Sequence, residues 1–86
     1  MTEKKRQEIR NWLKERKEIY EKYAKELKAE PHPMNSQLWM VPEGDGMKPL
    51  TDSKVMNTDT ARSLLANHAY YLGAMDALYG FGVLIA

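Results

Sequence analysis

The most constraining feature of this chain is the uneven distribution of its charged side chains. The 18 residues from Ala69 to Ala86 contain one charged side chain, Asp76, whereas the first 30 residues contain seventeen. With 86 residues and no cysteine, the chain forms one small domain at most, and neither disulfides nor thiolate metal sites can support a thin core. The apolar end must therefore enter a membrane or pack against protein, and oligomerisation is the ordinary way to bury more surface.

A membrane-spanning helix is the less favoured explanation for the apolar end. A span needs about 20 apolar residues, and a carboxylate at its centre costs about 3 kcal/mol. Asp76 would lie near the middle of this span and His68 at its start, with no Lys or Arg close by. The opening TEKKRQEIR also lacks the apolar stretch of a signal peptide. We therefore expect a cytoplasmic protein that makes no membrane contact and whose apolar end packs against protein.

Residues 3–29 are predicted to form one long amphipathic helix. Apolar side chains recur at intervals of three or four and fall on one stripe, which Arg16 interrupts. Pairs of opposite charge four residues apart follow the other side and contribute about 0.2–0.5 kcal/mol each. Pro31 and Pro33 then stop the helix, because proline cannot continue the backbone hydrogen bonds. The apolar stripe consists of Ile9, Trp12, Leu13, Ile19, Tyr20, Tyr23 and Leu27.

Residues 31–56 are predicted to form an ordered, irregular connector. This segment contains all four prolines of the chain together with several large apolar side chains. Residues 37–41 have a strand-like composition, residues 42–46 carry a turn signal, and residues 47–50 could return as a strand. One short β-hairpin is therefore allowed, with Pro49 restricting the return strand to an edge.

A second helix is predicted over residues 58–81, and it presents two kinds of side chain on neighbouring stripes. A bulky stripe consists of Leu65, His68, Leu72, Met75 and Tyr79. A stripe of small residues, which lets two helices approach closely, consists of Ala66, Ala69, Gly73, Ala77 and Gly80. We expect the bulky stripe to meet the first helix and the small residues to form the interface with a second copy of the chain.

The expected fold class is therefore mainly all-α. One domain over residues 1–86 would form a two-helix hairpin with an irregular connector, and it would assemble as a homodimeric four-helix bundle or a higher oligomer.

Aromatic, polar and cationic side chains of the connector and second helix are candidates for a ligand site. An anionic ligand that contains a ring would need stacking faces, directed donors and positive charge. The alternative is that these side chains only pack and cap the fold. The predicted ligand-binding residues are Trp39, Lys48, Lys54, Asn57, Arg62, Tyr70 and Tyr71.

Catalytic and metal chemistry are not expected. The chain has no cysteine, and neither His32 nor His68 has a spacing that favours a Ser–His–Asp arrangement. A histidine among leucines, as at His68, is more often a hydrogen-bonded core residue than a ligand. Asp76 is expected to be partly exposed or bonded to a tyrosine or a cation. We therefore predict no enzyme activity, no cofactor and no metal site.

The first helix offers an alternative function, binding to nucleic acid. Residues 1–30 carry ten Lys or Arg and seven Glu, and the densest basic group is Lys4, Lys5, Arg6 and Arg10. The interleaved glutamates favour an ordinary solvated helix face.

In overall style the chain resembles the small orphan proteins of phages and mobile elements. The resemblance rests on its brevity, the Lys/Glu-rich opening helix TEKKRQEIRNWLKERKEIYEKYAKELKAE, the lack of cysteine and the apolar tail helix. Many proteins of that kind are non-catalytic inhibitors of bacterial defence that sequester a nucleotide signal or block an effector. The resemblance implies a homo-oligomeric binding module for a nucleotide-like ligand or a host defence protein, and it carries over no site residue. A nucleic-acid-associated regulator and a purely structural adaptor bundle are the alternatives.

Overall fold

The computed structural model describes residues 2–84, which form two long helices and a small sheet. Ile85 and Ala86 of the apolar tail, and Met1, lie outside the described residues. The elements are, in chain order, α1 (Glu3–Leu27), β1 (Glu30–His32), β2 (Asn35–Glu43), β3 (Gly46–Pro49), two short 3-10 turns (Leu50–Asp52 and Lys54–Asn57) and α2 (Asp59–Gly80).

The prediction of a mainly all-α fold is wrong, because the connector folds into a three-stranded antiparallel sheet. The strands lie in the order β1-β2-β3, so the fold is mixed α and β. The two helices pack against this sheet, whereas in the predicted four-helix bundle they would pack only against other helices. The region of the predicted hairpin contains β2 and β3. β1 was not predicted, because this strand contains Pro31 and is followed by Pro33. Pro31 is tolerated there because β1 is an edge strand, and Pro31 lies opposite Trp39.

Local capping sets where the two helices begin and end. The hydroxyl of Thr2 accepts a hydrogen bond from the backbone N–H of Lys5 (3.2 Å), and that of Thr58 accepts one from Ala61 (3.2 Å). At the other end of α1, Lys28 adopts a left-handed conformation with a φ of 56°. The helix therefore ends at Leu27, two residues before the predicted end, and the chain turns directly into β1.

The main core lies where the C-terminal half of α1, the N-terminal half of α2 and the sheet meet. Alternate residues of β2, Trp39 and Val41, point inward and are buried, as strand geometry requires. The buried residues of this core are Tyr20, Ala24, Trp39, Val41, Leu50, Ala61 and Leu64. The sheet thus covers one end of the helix pair and holds Trp39 against both helices.

The chain after α2 folds back onto the last turn of that helix. Gly82 has a φ of 72°, which suits glycine, and this turn brings the backbone N–H groups of Val83 and Leu84 to the carbonyl of Leu78. Leu84 is buried as a result. Within residues 2–84, neither helix has the combined length and apolar character needed to cross a bilayer.

Candidate functional site

An open groove of about 700 Å³ lies between the two helices and the sheet. α1, α2 and the β1–β2 hairpin all contribute side chains to its lining. Its volume falls within the range of about 300–1,000 Å³ that is usual for small-molecule sites. The groove is lined by Lys17, Tyr20, Glu21, Ala24, Lys25, Ala29, Pro31, Ser36, Gln37, Trp39, His68, Tyr71 and Leu72.

Four aromatic rings from three elements pack together and line the groove. The ring of Tyr20 lies 4.7 Å from His68, 5.3 Å from Tyr71 and 6.0 Å from Trp39, measured between ring centroids. The rings of Trp39 and His68 are 5.1 Å apart and nearly perpendicular. Tilted and edge-to-face arrangements of this kind are favourable and hold the rings in fixed positions. The groove therefore has a preformed aromatic wall.

A buried hydrogen bond fixes the state of His68. The indole Nε1–H of Trp39 donates to Nδ1 of His68 over 2.9 Å. Because Nδ1 accepts this bond, a neutral imidazole must carry its proton on Nε2. Burial also lowers the pKa of His68 from its ordinary value. His68 is therefore neutral near pH 7 and has an N–H to offer.

Tyr20 is the second titratable group of the aromatic wall. Burial raises the pKa of Tyr20, and the neighbouring hydroxyl of Tyr71 and the carboxylate of Glu21 add to the increase. The phenol consequently stays protonated at any physiological pH and keeps a hydroxyl that can donate or accept a hydrogen bond.

Charged side chains of α1 lie along one rim of the groove. Lys17, Glu21 and Lys25 follow one another at a spacing of four residues, so they share one side of the helix. Two ammonium groups and one carboxylate leave a net positive charge at this rim. The groove thus combines an aromatic interior with a cationic edge.

The structure brings two of the predicted ligand-binding residues, Trp39 and Tyr71, to this groove. Lys48 and Lys54 are elsewhere, on either side of Glu43. The ammonium of Lys48 lies 3.3 Å from one carboxylate oxygen of Glu43, and the backbone N–H of Lys54 donates to the other over 3.1 Å. The bond from Lys54, with the contribution of Lys48, lowers the pKa of Glu43 from its ordinary value. Glu43 therefore ties the end of β2 to β3 through the Lys48 ammonium and to the start of the second 3-10 turn through the backbone of Lys54.

Arg62 and Asn57 lie at the start of α2 and do not line the groove. The guanidinium of Arg62 lies 3.0 Å from the carboxylate of Asp59 and donates to the backbone carbonyl of Asn57 over 3.1 Å. The contacts are local, since the partners are three and five residues away in the chain.

Tyr70 belongs to a separate cluster with Trp12 and Arg16. Its ring packs edge-on against Trp12 at 6.0 Å, and the guanidinium of Arg16 lies 4.7 Å from its centre. Arg16 also donates to the amide oxygen of Asn67 over 2.8 Å. Arg16, which interrupts the apolar stripe of α1 in the sequence, therefore links the two helices.

The groove contains residues that the sequence did not single out for ligand binding. Tyr20 was assigned to the apolar stripe, His68 to the core, and Lys17 and Lys25 to a solvated face. The sequence contains one weak indication that these residues share a surface: Lys17, Glu21 and Lys25 are spaced four residues apart, and Tyr20 lies next to them on the helix. No sequence pattern, however, showed that β2 would bring Trp39 to this side of the helices.

The five residues predicted to form an oligomer interface are exposed along α2. A Cβ atom added at Gly73 or Gly80 would meet no other atom within 4 Å in the described part of the chain. Self-association through this surface stays a prediction. The exposed residues are Ala66, Ala69, Gly73, Ala77 and Gly80, and Asp76 is exposed beside them.

The basic group at the start of α1 is partly neutralised by neighbouring glutamates. Glu3 lies 3.1 Å from Arg10 and 3.8 Å from Arg6, and Glu8 lies 3.7 Å from Lys5. These contacts reduce the charge that the helix could present to a phosphate backbone. Across residues 2–84, no group of three or more His, Asp or Glu side chains is arranged to hold a metal ion.

Comparison with known proteins gives no relative: no protein family, no curated protein and no solved structure matches this chain.

Proposed function

We propose that this protein is a non-enzymatic binding module that holds a small anionic, ring-containing ligand in the groove between α1, α2 and the sheet. The observation that carries the proposal is the combination of an aromatic wall with two lysines at the rim of a cavity of about 700 Å³. Ligand sites of this size are mostly apolar and aromatic, with a few polar groups that fix orientation. Here Tyr20, Trp39 and Tyr71 supply the rings, and Lys17 and Lys25 supply the positive charge.

The chemistry of His68 supports binding without catalysis. A histidine acts as a general base through a free nitrogen lone pair. The lone pair of Nδ1 on His68 is occupied by the indole N–H of Trp39, and Nε2 carries the proton. His68 is therefore suited to donating a hydrogen bond to a ligand and not to removing a proton from a nucleophile.

A sequestering role fits a module of this kind. A protein that inhibits a signalling pathway by removing a nucleotide-like messenger needs a preformed site and no chemistry. The style of the sequence suggests a phage-type inhibitor of bacterial defence, and the groove is the site that such an inhibitor would use to hold its ligand. Blocking of a host defence protein, with or without self-association, is the version of the hypothesis that does not require the groove.

The test of this proposal is ligand binding with two matched double variants. Isothermal titration calorimetry at about 0.15 M salt, where the screening length is about 8 Å, would use AMP, GMP, CMP and UMP as probes. Lys17→Gln/Lys25→Gln removes two charges at the groove rim, and Lys14→Gln/Lys22→Gln removes two exposed charges of the same helix that do not line the groove. Hydrogen bonds to charged groups contribute about 1.5–3 kcal/mol, so the rim variant should bind at least about tenfold more weakly.

The control variant should change affinity by less than about threefold, because exposed charges at a distance are screened. Equal weakening in both variants would show a diffuse charge effect and no groove site. Absence of binding to every nucleotide at millimolar concentration would contradict the proposed function.

A further inference from the structure

The donor and acceptor pattern of the groove restricts the ligand further. Trp39 has one N–H, and it is used in the bond to His68. His68 in turn has one free N–H, on Nε2, and no unoccupied nitrogen lone pair. Of these two side chains, the groove therefore presents a single directed donor, which comes from His68.

The Nε2–H of His68 makes no hydrogen bond within residues 2–84 and is not fully enclosed. In this part of the chain, the fully enclosed side-chain polar atoms that lack a partner are Nε of Arg6 and Nε of Arg16. Nε2 of His68 is not among them, although His68 as a whole is only 7% exposed. Since His68 lines the groove, its free N–H is available to a molecule bound there.

We infer that the ligand is a mononucleotide or a close analogue, whose base places a ring nitrogen or carbonyl oxygen against Nε2–H of His68 while its phosphate meets Lys17 and Lys25. This inference rests on the proposed function, and it adds that the base of the ligand is recognised inside the groove by His68. His68 is then the specificity-determining residue. Trp39 is its positioning residue, because the bond from the indole selects the tautomer that donates into the groove.

Two other ligand types fit the groove less well. A purely hydrocarbon ring would leave the N–H of His68 unpaired in a partly dehydrated site, which costs binding free energy. A cationic ligand would find aromatic faces, but Lys17 and Lys25 at the rim would repel it more than Glu21 would attract it. A flat ring with an acceptor atom and an anionic group satisfies all of these side chains together.

The test compares nucleotides with two simpler phosphates. Phenyl phosphate has an aromatic ring and a phosphate but neither a sugar nor an acceptor atom in the ring, and ribose 5-phosphate has the sugar and the phosphate but no aromatic base. The wild-type protein should bind AMP or UMP at least about tenfold more tightly than either probe. His68→Phe keeps a flat ring and removes the donor, so it should lose the preference over phenyl phosphate while its affinity for phenyl phosphate stays within about threefold.

The outcomes separate the two proposals. Equal affinity of the wild-type protein for nucleotides and phenyl phosphate would overturn the role of His68 and leave the groove as a site for aromatic anions. Binding to none of the probes would overturn both proposals. The wild-type comparison needs no variant, so equal affinities would still overturn the inference if His68→Phe does not fold.

Discussion

The hydrogen bond between Trp39 and His68 joins the sheet to α2, and we expect Trp39→Phe to break it at a measurable cost. The substitution keeps an aromatic ring in the core but removes the N–H that bonds to Nδ1 over 2.9 Å. Leaving a buried acceptor unpaired costs about 1–3 kcal/mol. The smaller ring leaves unfilled volume, which adds roughly 1 kcal/mol.

The total of about 2–4 kcal/mol corresponds to a fall in Tm of about 10–25 °C for a domain of this size. Urea unfolding followed by far-UV circular dichroism measures the free energy directly, and it does not depend on the fluorescence of the substituted tryptophan. A double-mutant cycle with His68→Phe then isolates the bond. The double variant removes both partners, so it should be about 1–2 kcal/mol more stable than the sum of the single effects predicts. Additive effects, within about 0.5 kcal/mol, would refute the reasoning.

Two further predictions concern the end of α1 and the pH dependence of stability. Lys28→Gly should stabilise the protein by about 0.5–1 kcal/mol, because glycine accepts the φ of 56° without strain. Lys22→Gly, at an exposed position inside α1, should destabilise it by about 1 kcal/mol, and equal effects in urea unfolding would contradict the assignment of the cap. The lowered pKa of His68 means that the unfolded chain takes up this proton at a higher pH than the folded chain. Stability should therefore fall as the pH is lowered from the unfolded-state pKa of about 6.5 towards the folded-state pKa, and level off below it. His68→Phe should remove that slope between about pH 7.5 and pH 5; an unchanged slope in the variant would contradict a neutral, buried His68.

The helices were predictable from the sequence because their signals are local. Apolar spacing of three and four residues and the prolines after α1 act within a few positions of the residues concerned. The end of α1 was misplaced by two residues, because a lysine in the left-handed conformation has no sequence signature, unlike a glycine at the same place.

The sheet and the groove could not be predicted in the same way, since both depend on contacts between distant parts of the chain. β1 is three residues long and contains Pro31, so neither its composition nor its length indicates a strand. β2 carries apolar side chains on both faces: Leu38 and Met40 on one, Trp39 and Val41 on the other. The alternation of apolar and polar residues that identifies a half-buried strand is therefore missing. The contact between Trp39 and His68 depends on how β1 and β2 pair, and no pattern in the sequence predicts that pairing.

The most direct test of the central claim, that the groove is the ligand site, uses the two tryptophans as internal reporters. Trp39 lines the groove, whereas Trp12 packs against Tyr70 in a separate cluster. In a ¹⁵N-labelled sample, each indole N–H gives its own resonance, and single substitutions of the tryptophans assign them. Titration with AMP or UMP should shift the indole resonance of Trp39 in a saturable manner and leave that of Trp12 in place. A saturable shift of the Trp12 resonance alone, or of neither resonance, would contradict the claim.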